Sequence, residues 1–236
     1  MRLKILAEGS TKWQRFVKHW GLSILIDDDI LFDTFGRPDY ILKQLKQFHI
    51  DVDKIRHIVI SHDDWDHVAG LWKILERNND VTVYVCPHFK SGIKAKIKWY
   101  GARIAEIDGV FNLRDNIYLS GELTGKRCDF DISEQYLAVK SAEGIVVITG
   151  CAHPGIVEIT QHAKSSFDSN IRFLIGGFHL KDYTAEGAHD IILRLKALGV
   201  GQVIPFHCTG RIAQKLFEKE FKQDCIIPSE GQIIEI

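Results

Sequence analysis

Absences narrow the field before any motif is read. No apolar run approaches the roughly 20 residues that a membrane-spanning helix needs. The start, Met1-Arg2-Leu3-Lys4-Ile5-Leu6-Ala7-Glu8-Gly9, meets charge too soon to be a secretory h-region, and both features lead us to expect a cytoplasmic protein. Net charge is nearly absent: 30 Lys and Arg stand against 31 Asp and Glu, a balance of -1. No global field therefore gathers nucleic acid or an anionic membrane, and any affinity for phosphate must be local. Cysteine is scarce and scattered. Cys86, Cys128, Cys151, Cys208 and Cys225 are odd in number and form no CxxC pair, which argues against a disulfide framework or a structural zinc knot and for reduced thiols. Low-complexity stretches, charge blocks, Pro/Ser-rich linkers and a repeat of about 20–50 residues are also missing, so neither a hinge nor a solenoid is expected.

What is present is a chain of 236 residues with 45% hydrophobic content, ample for a buried core. Leu3–Ala7, Leu22–Ile26 and Ile30–Phe32 read as strands, and Pro38–Phe48 as a helix with Pro38 in its first turn. Strand His57–Ile60, helix Val68–Arg77, strand Val81–Cys86, a helix from Phe89 to Lys98 and strand Arg103–Ile107 follow. The pattern changes to strand and turn at Ile117–Ser120, Gln135–Lys140 and Ile145–Thr149. It then alternates again through helix Gly155–Ser165, strand Ile171–Ile175, helix Thr184–Leu198, strand Gln202–Ile204, helix Arg211–Phe221 and strands near Cys225–Ile227 and Ile233–Ile236. The expectation is one α/β domain over 1–236, made of two αβ halves meeting near 112–120, with a sheet-on-sheet core between helical layers.

The chemistry concentrates in Ser61-His62-Asp63-Asp64-Trp65-Asp66-His67-Val68-Ala69-Gly70. Two imidazoles and three carboxylates there occupy six consecutive positions between a strand and a helix, where α/β proteins assemble sites on loops. Alone, the stretch also fits a helix start with Asp66 as N-cap, but capping needs one such residue and not five. Three strands of the second half each end in a histidine: Ile148-Thr149-Gly150-Cys151-Ala152-His153, Leu174-Ile175-Gly176-Gly177-Phe178-His179 and Val203-Ile204-Pro205-Phe206-His207-Cys208-Thr209-Gly210. One histidine past a buried strand is commonly just a satisfied polar group. Three in the same topological position, beside His62 and His67, point to metal. Imidazole and carboxylate together suit zinc, iron or manganese, and such a cluster can hold two divalent ions about 3.5–4 Å apart.

Ser61-His62-x-Asp64-x-Asp66-His67 resembles the His-x-His-x-Asp-His motif of the metallo-β-lactamase superfamily, preceded here by Phe32-Asp33-Thr34. The nearer resemblance is to the 7,8-dihydropterin-6-methyl-4-(β-D-ribofuranosyl)aminobenzene 5′-phosphate synthase-like branch. It is carried by Gly21-Leu22-Ser23, Leu31-Phe32-Asp33-Thr34, Ser120-Gly121-Glu122, Thr149 to Ile156, Gly176-Gly177-Phe178-His179-Leu180 and His207-Cys208-Thr209-Gly210, almost the whole chain. The resemblance implies a four-layer αβ/βα sandwich and two bound divalent ions (Zn, Fe or Mn). It implies that His62 and Asp64 ligate one ion and Asp66 and His67 the other, with His153 and His207 completing the two shells. Cys151 stands where the superfamily often has a bridging aspartate, and is either a ligand or its near neighbour. His179 is similar to the histidine that assists the departing oxygen in tRNA 3′-processing nucleases. Asp33 is expected to buttress the site by hydrogen bonding.

Two positions depart from the family pattern. Asp64 replaces a histidine and adds a harder oxygen donor, favouring iron or manganese. Phe35 stands where the family tends to place glycine.

The activity implied is that of a hydrolase in which a hydroxide shared by two metals attacks a phosphoester or another small ester, with Asp66 and His179 as catalytic residues. The alternatives are a diiron redox protein, encouraged by Asp64, and a metal-dependent metabolite sensor. The partner expected is a small molecule, phosphorylated or nucleotide- or pterin-like, and not nucleic acid or membrane. Lys90, Lys94, Lys96, Lys98 and Arg103, interleaved with Phe89, Trp99 and Tyr100, read either as a phosphate-binding patch or as a solvated helix face. Trp65 reads as a pocket wall.

Overall fold

The computed structural model describes residues 1–127 and 130–236; Cys128 lies outside them. Two compact units emerge, one of Met1–Asp108 with Ser229–Ile236 and the other of Gly109–Pro228. No helix among the described residues is long and apolar enough to cross a membrane.

The first unit is built on β1 (Arg2–Gly9), β2 (Gly21–Ile26), β3 (Ile30–Phe32), β4 (His57–Val59), β5 (Thr82–Val85) and β6 (Arg103–Glu106), hydrogen-bonded in that order, with the C-terminal strand Ile233–Glu235 outside β1. The pairs β1–β2 and β2–β3 are antiparallel, and β3 to β6 run parallel. Its helices are α1 (Lys12–Phe16), α2 (Pro38–Gln47), α3 (Trp65–Val68), α4 (Leu71–Leu75) and α5 (Ser91–Trp99). Ile41 and Leu45 of α2, Leu71, Ile74 and Leu75 of α4 and Ile97 of α5 pack with Leu25, Leu31, Ile58, Val83 and Val85 of the sheet. Each such side chain contributes about 1.5–3 kcal/mol by leaving water. Parallel pairing of Phe32 with Val59 brings two carboxyl strand ends side by side, so Asp33 and Ser61 leave the sheet as neighbours. Ligand sites of open α/β sheets form at such ends.

The second unit repeats the principle. Strands β7 (Phe111–Arg114), β8 (Ile117–Leu119), β11 (Leu137–Ser141), β12 (Gly144–Thr149), β13 (Ile171–Gly177) and β14 (Gln202–Phe206) form a sheet in the order β14-β13-β12-β11-β8-β7. A separate hairpin pairs β9 (Leu123–Arg127) with β10 (Phe130–Glu134). Helices α6 (Ile156–Phe167), α7 (Ala185–Ala197) and α8 (Arg211–Phe221) bury Ile159, Ala163, Ile192, Leu195, Ala213 and Phe217 against Ile145, Val147, Leu174 and Val203. Strands β12, β13 and β14 are parallel and in register, Thr149 with Gly176 and Gly176 with Pro205. Three carboxyl ends therefore stop at one level, and the residues that follow are Cys151, His179 and His207.

Several elements differ from the sequence reading. The helix expected over Val68–Arg77 is two short helices, α3 and α4, because Gly70 seats against the Thr34–Phe35 turn. A Cβ at Gly70 would lie 2.0 Å from the Thr34 carbonyl oxygen, and the Gly70 N–H donates to Phe35 O. Asp64, not Asp66, is the N-cap residue of α3, without a side-chain cap bond. Helix α1 is additional, and its signal was a capping box in which Thr11 and Gln14 exchange side-chain bonds. Near Cys225–Ile227 only one bridge, Val203 to Cys225, forms; Pro228, with no N–H to donate, follows directly.

Phe35 has φ +63° and is fully buried. Its ring packs edge-on to His19, with centroids 5.0 Å apart, and lies 5.5 Å from Tyr40. The left-handed backbone costs about 1 kcal/mol for a residue with a Cβ, whereas loss of a buried Phe ring costs roughly 3–5 kcal/mol. Phe35→Gly should thus destabilise the protein by roughly 2–4 kcal/mol in urea unfolding. A midpoint that stays or rises would mean that backbone strain outweighs the ring.

Candidate metal centre

In the first unit the site grows from Asp33. Its Oδ1 accepts the Ser61 N–H at 2.7 Å, and its Oδ2 accepts the Ser61 hydroxyl at 2.7 Å and Nδ1–H of His67 at 2.6 Å. The buttressing expected of Asp33 is present in these bonds. The Ser61 oxygen, having donated to Asp33, accepts from His62 Nδ1 at 2.8 Å. This chain of bonds places a proton on Nδ1 of each ring, so Nε2 is the atom that a cation would take. The two rings lie with centroids 4.0 Å apart. His67 Nε2 is 3.4 Å from an Asp66 oxygen and His62 Nε2 is 4.0 Å from an Asp64 oxygen. Asp33, His62 and His67 are fully buried, and Asp66 nearly so. Burial opposes charge on His67, but the carboxylates of Asp33 and Asp66 outweigh it and raise its pKa well above the ordinary value. The pocket attracts positive charge.

Asp63 has another task. It accepts the Lys90 N–H at 3.0 Å and pairs with Lys90 Nζ at 3.2 Å, tying the motif to the start of α5. The basic run is compensated locally. Lys94 pairs with Glu106 at 2.9 Å, Arg103 with Asp80 at 3.0 Å, and Lys96 lies 4.1 Å from the centre of the Trp72 ring. That arrangement fits a solvated helix face. Trp65 is 45% exposed at the start of α3 and lies against Gly36.

In the second unit the organiser is Glu134, at the end of β10. Its Oε1 accepts the N–H groups of Cys151 and Ala152, both at 2.8 Å. Its Oε2 accepts the His153 N–H at 2.7 Å and His153 Nδ1–H at 2.9 Å. Burial pushes the Glu134 carboxyl up, but the bonds from His153 and the backbone dominate and hold it at about 2. His153 is thereby held with its Nδ1 proton on Glu134, so Nε2 is the ring atom that a cation would take. Cys151 Sγ lies 3.4 Å from His207 Nε2, and the His153 and His179 rings are 4.6 Å apart. Cys151, His153 and His207 are buried, whereas His179 is part-exposed, and its buried Nδ1 has no hydrogen-bond partner among the described residues.

Cys208 Sγ accepts the His179 N–H at 3.3 Å and approaches Cys151 O at 3.6 Å. Burial would raise the Cys208 pKa, but the Cys151 and histidine contacts win and lower it well below the ordinary thiol value. His179 shifts the other way: burial lowers it, and the Cys208 contact outweighs that and raises it. The pair leans toward thiolate and imidazolium.

The donor set fits divalent ions. Two histidines, His67 and His153, donate Nδ1–H to a buried carboxylate and present Nε2, the outer-shell arrangement that orients metal-binding imidazoles. Sequence reasoning missed Glu134 and the part played by Cys208. Glu134 had no visible signal, because it stands just before the strand expected over Gln135–Lys140, with no histidine or cysteine beside it.

The family model of the metallo-β-lactamase superfamily matches residues 21–207. The chain belongs to the metallo-β-lactamase superfamily. Members usually bind divalent metal ions, and the α/β fold class expected from the sequence is borne out. Among its relatives is the 7,8-dihydropterin-6-methyl-4-(β-D-ribofuranosyl)-aminobenzene-5′-phosphate synthase of Methanocaldococcus jannaschii, 29% identical over 93% of this chain and 90% of that protein. The resemblance to that branch is therefore also borne out. A solved metal-dependent hydrolase of the β-lactamase superfamily superimposes with a TM-score of 0.80 at 26% identity, covering 100% of this chain and 99% of the other. The short form of human tRNase Z shares the metallo-β-lactamase fold at 13% identity, with a TM-score of 0.63 over 100% and 99% of the two chains.

Proposed function

We propose that this superfamily member is a metal-dependent hydrolase of a phosphoester or another small ester. The observation that carries the reading is the pair of buried carboxylate–imidazole contacts, Asp33 with His67 at 2.6 Å and Glu134 with His153 at 2.9 Å. Each fixes an Nε2 lone pair for a cation, and neither is needed by a core that could be apolar. The proposed donors within the first unit are His62, Asp64, Asp66 and His67; those within the second are His153 and His207, with Cys151 beside His207. Divalent ions, when bound, supply Lewis acidity and activate water at neutral pH. Asp66 accepts a hydrogen bond from the attacking water and sets its direction. His179, the part-exposed histidine, gives a proton to the leaving oxygen. The archaeal relative's name, a 5′-phosphate synthase, supports a phosphorylated or pterin-like substrate.

Asp66→Asn keeps the size of the side chain and removes its charge. It should lower kcat on a phosphodiester, phosphomonoester or lactone substrate by roughly 10²–10⁴-fold, with the circular dichroism spectrum unchanged. The same preparations are analysed for metal after purification without added ions. Turnover by the variant at the wild-type rate, or a protein that neither holds nor responds to Zn, Mn or Fe, would sink the reading. A visible diiron absorption band with reductant-driven oxygen consumption would replace it with redox chemistry.

A further inference from the structure

Cys208 is a motif residue that the hydrolytic reading leaves unused. One donor atom each from Cys151, His179 and Cys208 lie within 4.8 Å of one another, and all three residues belong to the second unit. We propose that these three side chains form a further binding site for a thiophilic divalent cation, zinc foremost, which shares Cys151 with the neighbourhood of His207.

The dimensions suit such an ion. Zinc takes sulfur at about 2.3 Å and imidazole nitrogen at about 2.0–2.1 Å, so tetrahedral donors stand roughly 3.4–3.8 Å apart. Donors within 4.8 Å reach that spacing by closing about 1–1.4 Å at most. The charges suit it too. Two thiolates and a neutral imidazole balance the charge of a divalent ion, which matters because Cys151 and Cys208 are almost wholly buried and a net charge there would be costly. The surroundings are arranged for a sulfur anion. The His179 N–H points at Cys208 Sγ at 3.3 Å, the kind of outer-shell donor that supports metal-bound thiolate. Gly177 keeps the space open, since a Cβ there would lie 2.6 Å from Cys208 Sγ. Three protein donors leave a fourth position for a small ligand, as in sites that are not purely structural. If His179 is the proton donor proposed above, coordination withdraws it, and this ion inhibits. That last step rests on the hydrolytic reading; the site itself does not.

The test uses the full chain, stripped with a chelator under anaerobic conditions and titrated with Co(II). A near-ultraviolet sulfur-to-cobalt charge-transfer band should appear. It should persist in the His62→Ala/His67→Ala double variant and lose about half its intensity in Cys208→Ser. A band unchanged in Cys208→Ser, absent from wild type, or lost in the double variant overturns the proposal. Wild-type protein gives a check free of folding defects: one equivalent of Cd(II) should protect both Cys151 and Cys208 from alkylation in peptide mapping, and equal labelling with and without Cd(II) overturns it. Excess zinc should inhibit wild type more than Cys208→Ser. Uninhibited turnover with the band intact upholds the site and removes His179 from proton transfer.

Discussion

Glu134→Ala should be the most damaging single substitution in the second unit, lowering unfolding free energy by roughly 3–5 kcal/mol. The carboxylate is the shared acceptor for three consecutive backbone N–H groups, those of Cys151, Ala152 and His153, and for His153 Nδ1. An unsatisfied buried donor costs about 1–3 kcal/mol, and water entering the vacated space returns part of that. Glu134→Gln should fall between alanine and wild type, because its carbonyl still accepts while its amide confronts N–H groups. Urea unfolding of the three proteins gives the order, and an alanine variant within 1 kcal/mol of wild type would refute the assignment. The residue also sets a pH dependence. Its folded pKa of about 2 lies below the ordinary 4.5, so the ionised form is the one the fold prefers. Its stabilisation, about 3 kcal/mol, is complete above pH about 4.5 and is lost as pH falls toward 2. In Glu134→Gln that acid step should shrink.

Asp33→Asn should weaken metal binding about 10–100-fold, read by competition with a chromophoric chelator. Asp33 collects the Ser61 amide, the Ser61 hydroxyl and His67 Nδ1 in one fully buried carboxylate. An amide in its place can face His67 with its oxygen or with its NH2, but cannot supply both acceptors, so either Ser61 or His67 loses its orientation. Loss of the charge also makes the imidazole a poorer donor. Asp33→Ala should be worse for stability as well, leaving three buried groups without acceptors. Wild-type affinity in Asp33→Asn would show that the His67 ring is held by packing alone.

Much of this could be read from the chain because the relevant signals are local. The apolar runs before Asp33, Ser61, Cys151, His179 and His207 mark strands, and the polar residue after each run is where a strand end must lie. Strands β3 and helix α8 were legible to the residue for that reason. Glu134 was not, because its importance arises from contacts with residues 151–153 across a sheet and a hairpin, and no periodicity encodes such a contact. The break between α3 and α4 was hidden similarly, since the Gly70 packing partner is the distant Thr34. Asp63 stands inside the same acidic stretch, yet its carboxylate is engaged by Lys90, a role that composition does not separate from those of its neighbours.

The left-handed residues around the site carry one more implication. Asp33, Phe35, Ala152, His179 and His207 all have φ between 51° and 63°, at the places where strands give way to site loops. The direction in which each loop offers its side chain is thus stored in the main chain and hardly depends on which side chain is offered. Donors become exchangeable parts in fixed sockets: a lineage can swap imidazole for carboxylate or carboxylate for thiol, and so change the metal it prefers, without rebuilding a turn.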